Sequence, residues 1–243
     1  MTRIYIPPER IGGEEISLQT KEARYILAVL RLGSGDEVTV FDGEGREYRT
    51  VLTEDYEGGV YLSIQEELSP ERESPLRITL GQGLLKGEKM KFVIQKTTEL
   101  GVDRIIPLVS SRSIPLVEGE RETLRIERWR RIAQEAAKQC GRTVVPDITP
   151  IQELSDFLSE DEGTRIILWE GEPTPLRKVI EKIDPKEGIT LLIGPEGGFS
   201  EEEVSTAQGS GFLVAGLGQR ILRAETASLS VLSILQHRFG DLG

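Results

Sequence analysis

The sequence predicts an α/β protein: a mostly parallel sheet covered by helices on both faces, preceded by a small β-barrel unit. Three observations carry that expectation. From residue 76 onward, short apolar runs alternate with stretches of helical period. Residues 1–68 instead hold turn-separated runs, among them one with two-residue alternation. Between them, residues 69–75 are polar, contain Pro70 and Pro75, and read as a linker.

The 243 residues suffice for one large domain or two modest ones. A composition of 37% hydrophobic and 29% charged residues is that of a soluble globular chain with a sizeable core. No run approaches the length of a membrane span, and the opening MTRIY lacks a signal-peptide pattern. The single Cys140 excludes an internal disulfide and, with the single His237, leaves no Cys/His metal cluster. No metal is therefore expected, and a reducing cytoplasm is the natural compartment. The net charge of −11 argues against a general polyanion binder but leaves room for a local basic face.

In the first part, Val38, Val40 and Phe41 run into Asp42-Gly43-Glu44-Gly45, a hairpin signal, and residues 48–52 return from it. Val60, Leu62 and Ile64 alternate with Tyr61, Ser63 and Gln65, as in a half-buried strand. A short helix over 23–32 places Ile26, Leu27 and Leu30 on one side. Small barrels are built from such pieces. Seven basic residues face fourteen acidic ones across residues 1–70, so the barrel reads either as an RNA-binding module or as a prop.

In the second part, Ile78, Thr79 and Leu80 form a strand, and Met90, Val93, Ile94, Thr97 and Leu100 share a helical face stopped by Gly101. Residues 105–109 make the next strand. Trp129, Ile132, Ala133, Ala136 and Cys140 line the helix after it. Apolar runs at 166–169 and 189–193 continue the series. Gly81-Gln82-Gly83 fails the dinucleotide fingerprint, because Lys86 stands where the third glycine belongs. Residues 121–142 hold seven basic residues against three acidic ones. They read as a solvated face or as phosphate contacts, with Arg112 after the preceding strand as a further candidate.

The run 191–193 leads into Gly194-Pro195-Glu196-Gly197-Gly198-Phe199-Ser200, with Ser200 and Glu203 spaced as a capping box. A strand, a glycine-rich turn and a helix start form either a tight βα turn or a ligand cradle. With Glu196 and three further glutamates nearby and no P-loop lysine, the fitting ligand is a neutral or cationic small molecule rather than a phosphate. A second stretch, Leu217-Gly218-Gln219-Arg220-Ile221-Leu222-Arg223-Ala224-Glu225-Thr226-Ala227, follows another strand-like run at 212–215 and opens an apolar helix.

Together GPEGGFS and LGQRILRAETA resemble the signature of the SPOUT class of RNA methyltransferases. Within it the chain is similar to the RsmE family, which methylates N3 of a uridine in 16S ribosomal RNA. The resemblance extends to VLRLGSGDEVTVFDGEG, ESPLRITLGQGLLKGEKMKFVIQKTTELGV, QCGR and the terminal RFGDLG. It implies a PUA-like RNA-binding barrel over 1–68, a linker over 69–75, and a SPOUT domain over 76–243 with a C-terminal trefoil knot. It implies S-adenosylmethionine as cofactor, with S-adenosylhomocysteine as product. Leu168, Glu170, Leu192, Ile193, Gly194, Pro195, Glu196, Gly197, Gly198, Leu217, Gly218, Ile221, Leu222, Arg223 and Thr226 are the expected cofactor contacts. Arg223 is expected to stabilise the developing uridinate, with Glu196, Glu170 and Glu225 as candidates for proton removal or for orienting Arg223, Glu196 being the one carried with Arg223 as catalytic. Arg112, Arg128, Arg131, Lys138 and Arg142 are the expected RNA contacts. The implied partners are 16S ribosomal RNA within the small subunit and a second copy of the chain. Leu229, Val231, Leu232, Ile234 and Leu235 of the last helix are the expected dimer surface.

Overall fold

The computed structural model describes residues 2–54, 59–113, 119–159, 163–171 and 174–243. It divides into two compact units, one of Met1–Glu73 with Ala137–Val145, the other of Ser74–Ala136 with Pro146–Gly243. The inclusion of Ala137–Val145 in the first unit is not apparent from linear composition, which places the boundary at 69–75.

In the first unit, strands β1 (Arg3–Tyr5), β2 (Glu15–Ser17), β3 (Glu37–Phe41), β4 (Glu47–Glu54) and β5 (Val60–Leu68) pair in the order β1-β3-β4-β5-β2. The path is open at both edges, a half-barrel. The β3–β4 hairpin turns through Gly43 and Gly45, whose φ of 81° and 114° favour glycine. Helix α1 (Thr20–Arg24) runs directly into a π-helical turn, Tyr25–Val29. Ile6, Ile16, Ile26, Val40, Leu52 and Leu62 are fully buried in the core between helix and sheet.

Polar contacts fasten this unit where composition predicts looseness. Arg3 donates to the carbonyls of Ala137 and Arg142 at 3.1 and 2.6 Å and pairs with Glu47 at 3.0 Å. Glu73, inside the expected linker, accepts from Arg142 Nε at 2.7 Å and from the backbone N–H groups of Thr143 and Val144. Arg142 is 6% exposed, so this expected RNA contact is instead a buried ion-pair partner.

The second unit is built on a seven-stranded sheet whose described pairings are all parallel. Its members are β6 (Ile78–Gly83), β7 (Arg104–Val109), β8 (Asp147–Ile148), β9 (Gln152–Glu153), β10 (Thr164–Leu168), β11 (Ile189–Ile193) and β12 (Leu213–Ala215). The order is β12-β10-β11-β6-β7-β8, with β9 also on β7. Helices α2 (Lys89–Glu99), α3 (Glu120–Cys140), α4 (Leu154–Leu158), α5 (Leu176–Ile180), α6 (Glu201–Gly209) and α7 (Ala224–Phe239) connect the strands or end the chain. β11 is buried along its whole length, as a central parallel strand must be.

Two helical expectations need correction. Cys140 is exposed at the end of α3 rather than part of its apolar stripe, whereas Trp129, Ala133 and Ala136 are buried. Helix α7 spends its apolar face inside the unit: Val231, Leu232 and Leu235 are fully buried, and the helix packs on α2. Those three side chains are therefore unavailable to a second copy; Ile234, at 40% exposure, remains accessible.

Candidate active site

Strands β10, β11 and β12 are neighbours in the sheet, and the chain leaves each at its carboxyl edge. That edge of an open parallel sheet is where ligands bind, because the connecting loops there surround a crevice. In this protein they enclose a cavity of about 500 Å³.

One wall is the loop over 194–199. Gly198 donates its N–H to Pro195 O at 2.9 Å and has φ 66°, closing a tight turn that brings its backbone against Gly194. The turn lies hard against β6: a Cβ on Gly83 would stand 2.4 Å from Pro195 N. Gly83 is thus explained by close backbone approach, and Gly81 by the Phe157 ring, which lies 2.6 Å from where its Cβ would stand. Gln82, fully buried, donates to Gly194 O at 3.3 Å and accepts from Ser228 Oγ at 2.6 Å, joining β6, the loop and α7. Outside the loop, Arg112 Nη1 donates to Gly197 O and Phe199 O at 3.0 and 3.3 Å. Arg112 therefore holds the loop while remaining exposed.

The capping box at Ser200 and Glu203 is present, so α6 begins where the sequence predicts. Glu203 also accepts from Ser111 N–H at 2.7 Å. Burial raises its carboxyl, yet the hydrogen bonds from Ser200 and Ser111 outweigh that and hold it below the usual range.

The second wall is the segment from Leu217 to Arg223, and the third is the end of β10 with Trp169 and Glu170. Every expected cofactor contact lines this cavity except two. Leu192 is fully buried and packs into the core with Phe157 and Phe199. Thr226 is exposed on α7 and does not reach the cavity. Lys89, Trp169, Phe199, Arg220, Ala224 and Ala227 also line it, unforeseen from the sequence. Of these, Ala224 and Ala227 could have been found as the small residues of the first helical turn after Arg223.

The charged groups differ in how tightly they are held. Glu196 Oε1 accepts from Lys86 N–H at 3.0 Å and Lys89 Nζ at 3.1 Å. Burial raises the Glu196 carboxyl, but these donors, with its own N–H, hold it below the usual range. Through these two bonds Glu196 anchors the loop to the start of α2. Glu170 is exposed, and its Oε1 lies 2.8 Å from where a Cβ on Gly198 would stand. Among the described residues Glu170, Arg220 and Arg223 make no hydrogen bond or ion pair through their side chains. Glu225 does not line the cavity; its Oε2 is buried without a partner among the described residues.

The remaining RNA candidates separate. Arg128 and Arg131 are exposed and line a groove with Gln95, Ile132, Glu135 and Ala136. Lys138 belongs to the first unit, where its ammonium sits 4.9 Å from the centre of the Tyr25 ring.

A family model described as an RNA methyltransferase domain matches residues 72–236, and one described as an RNA methyltransferase PUA domain matches residues 18–65. The chain is 30% identical to the ribosomal RNA small subunit methyltransferase E of Bacillus subtilis, covering 91% of this chain and 90% of that one. It is 33% identical to the protein of the same name from Buchnera aphidicola subsp. Schizaphis graminum, over 99% and 97% of the two chains. A solved ribosomal RNA small subunit methyltransferase E from Neisseria gonorrhoeae, bound to S-adenosyl methionine, superposes with a TM-score of 0.89. The two are 35% identical, and the match covers 100% of both chains.

Proposed function

The chain belongs to the RNA methyltransferase family, and from that premise we propose that it methylates N3 of a uridine in 16S ribosomal RNA, using S-adenosylmethionine. The observation that carries this reading is the cavity at the carboxyl edge of β10, β11 and β12. Its residues fit the cofactor chemically. Glycine backbone on the 194–199 wall suits an adenine edge, and Leu217, Ile221 and Leu222 suit its apolar faces. The guanidinium of Arg220 suits a carboxylate. When bound, S-adenosylmethionine supplies an electrophilic methyl group.

The protein's own groups must hold the uracil in line, accept the N3 proton and stabilise the charge left on the base. We assign the charge to Arg223, the N-cap of α7, whose guanidinium makes no ion pair among the described residues. We assign the proton to Glu170, which lines the cavity and makes no ion pair among the described residues, whereas Glu196 is already engaged by Lys86 and Lys89. We read residues 1–68 as an RNA-binding, PUA-like domain, joined through 69–75 to a methyltransferase domain over 76–243. Arg128, Arg131 and Lys138 are its phosphate contacts in this reading. The C-terminal path is read as a trefoil knot: β12 lies outside β10, while α7 returns to pack on β11 and α2.

The reading places the enzyme in the cytoplasm, acting on the small subunit as a homodimer. The half-exposed Phe92 of α2 and Ile234 of α7 are its candidate apolar contacts. No described helix is long and apolar enough to cross a membrane. The test is incubation with methyl-labelled S-adenosylmethionine and 16S RNA or small subunits, followed by mass spectrometry of the nucleosides. Label on 3-methyluridine is the expected result; label on another atom, or none, overturns the proposal. Sedimentation showing only a 27.0 kDa species at micromolar concentration would remove the dimer.

A further inference from the structure

The helix that packs on the half-barrel of the first unit has an outer face of unusual build. α1 widens into the π-helical turn Tyr25–Val29, where Leu30 N–H donates to Tyr25 O at 2.9 Å. Arg31 then takes φ 58°, the one non-glycine residue with positive φ among those described. π turns and left-handed non-glycine residues are both unfavourable locally and concentrate at functional positions.

The inner face is ordinary core: Ile26 is buried, with Ala23, Leu27 and Leu30 packed around it. The outer face carries Lys21, Arg24, Tyr25, Ala28 and Val29, all exposed and spaced three and one apart, followed by exposed Arg31. Val29 is 64% exposed and Tyr25 37%. Lys138 lies over the Tyr25 ring at 4.9 Å, with its Nζ 3.5 Å from the hydroxyl. The charge here is also exceptional. Across an acidic barrel, residues 19–32 hold Lys21, Arg24 and Arg31 against Glu22 alone, and Glu22 is paired with Arg10.

We propose that this face is a stacking platform for an unpaired RNA base. Tyr25 receives the base on the ring face opposite Lys138, Val29 extends the apolar floor, and Lys21, Arg24 and Arg31 bind the flanking phosphates. An aromatic ring within a cationic rim is how single-stranded RNA is held: stacking is indifferent to sequence, and the cations follow the backbone. A protein partner fits less well, because the apolar part is small and the exposed charges of this segment are Lys21, Arg24 and Arg31. The proposal rests on the ribosomal RNA reading above and deepens it by naming the side chains that hold one unpaired base.

The test uses the full chain, with binding to a naked 16S transcript and to small subunits measured over a range of salt. Tyr25→Ala should weaken transcript binding about tenfold without changing its salt slope, while Tyr25→Trp and Tyr25→Phe retain it. Arg24→Ala should lower the salt slope by about 0.7. S-adenosylhomocysteine binding and thermal unfolding should match the parent in all four variants, so a folding defect is recognised. Transcript binding by Tyr25→Ala equal to the parent's overturns the platform, as does an equal loss in Tyr25→Phe. Loss confined to assembled subunits assigns the face to a ribosomal protein and also overturns it. If the parent enzyme methylates 16S RNA while Tyr25→Ala does so with unchanged KM, the platform fails and the enzymatic reading stands.

Discussion

Two loops line the same cavity and are built in opposite ways. The 194–199 loop is held from every side: its own turn, the Gln82 amide, the Lys86 N–H, the Lys89 ammonium and the Arg112 guanidinium all bond to it. Phe199, at its end, is 2% exposed. Residues 217–222 make no hydrogen bond among the described residues, and Ile221 is 83% exposed. The first loop is a preformed surface that costs little to bind against, whereas the second, with no hydrogen bond among the described residues, is expected to settle on whatever fills the cavity. The difference divides the site into a fixed template and an adaptable cover, and mutations on the two sides should have different signatures.

The largest effect is expected at the boundary between cover and chemistry, at Arg223. If its guanidinium stabilises charge that appears on the uracil only in the transition state, Arg223→Ala should lower the single-turnover rate by about a hundred- to a thousand-fold. The affinity for S-adenosylhomocysteine should change little, because the lost interaction is absent from the ground state. Higher pH should partly restore the rate, since more uridine then ionises unaided. Affinity and rate falling together would make Arg223 part of the cover alone.

On the template side, Gly83→Ala should be the most damaging single methyl. Its Cβ would stand 2.4 Å from a backbone nitrogen of Pro195, which cannot rotate away. Overpacking of this kind costs about 1–3 kcal/mol, and the displaced turn should lose cofactor affinity as well. Denaturant unfolding and calorimetry on one preparation would read both. A stable variant with parental affinity would show that the template is not rigid.

The contrast also explains what the sequence could and could not say. The capping box and the helix face of α2 were legible because each rests on neighbours within a turn or two. β11 was legible as a strand, but not which of its residues faces the ligand. A strand buried on both sides shows no alternation, so Leu192 and Ile193 look alike, and only Ile193 lines the cavity. Long-range polar partners left no local trace. Arg142 reads as a surface cation until Glu73 is found beside it, and nothing near Arg112 in sequence announces its bond to the Gly197 carbonyl. The apolar face of α7 was visible, but the sequence does not say whether α2 or a second copy covers it.

A smaller effect is expected from acid. The Glu196 carboxyl is held below its ordinary value, so its bonds to Lys86 and Lys89 are intact above the ordinary carboxylate pKa of about 4.3. They are lost only as pH falls through the lowered folded value. Affinity for S-adenosylhomocysteine should therefore be flat from pH 7 to pH 5 as far as this group is concerned. Glu196→Gln should weaken binding by about tenfold or less, because the Lys89 pair is partly exposed and screened. A parent whose affinity already drops between pH 7 and pH 5 would point to a raised carboxyl and return Glu196 to the list of bases.

The smallest effect separates the two loops most cleanly. Ile221 is so exposed in the free protein that Ile221→Ala should alter unfolding free energy by less than about 0.5 kcal/mol. If the cofactor or substrate covers the side chain on binding, the same substitution removes part of that burial. Covering about 30 Å² of it is worth roughly 0.7 kcal/mol, or a threefold change in affinity. The result expected is thus a variant with parental stability and a Kd for S-adenosylhomocysteine raised about threefold, the reverse of the pattern at Gly83, where stability and affinity fall together. Equal affinity combined with a weakened dimer in sedimentation would show that a second copy covers Ile221. Equal affinity with no change in assembly would show that 217–222 stays open when the cavity is filled, and the contrast between template and cover would not survive.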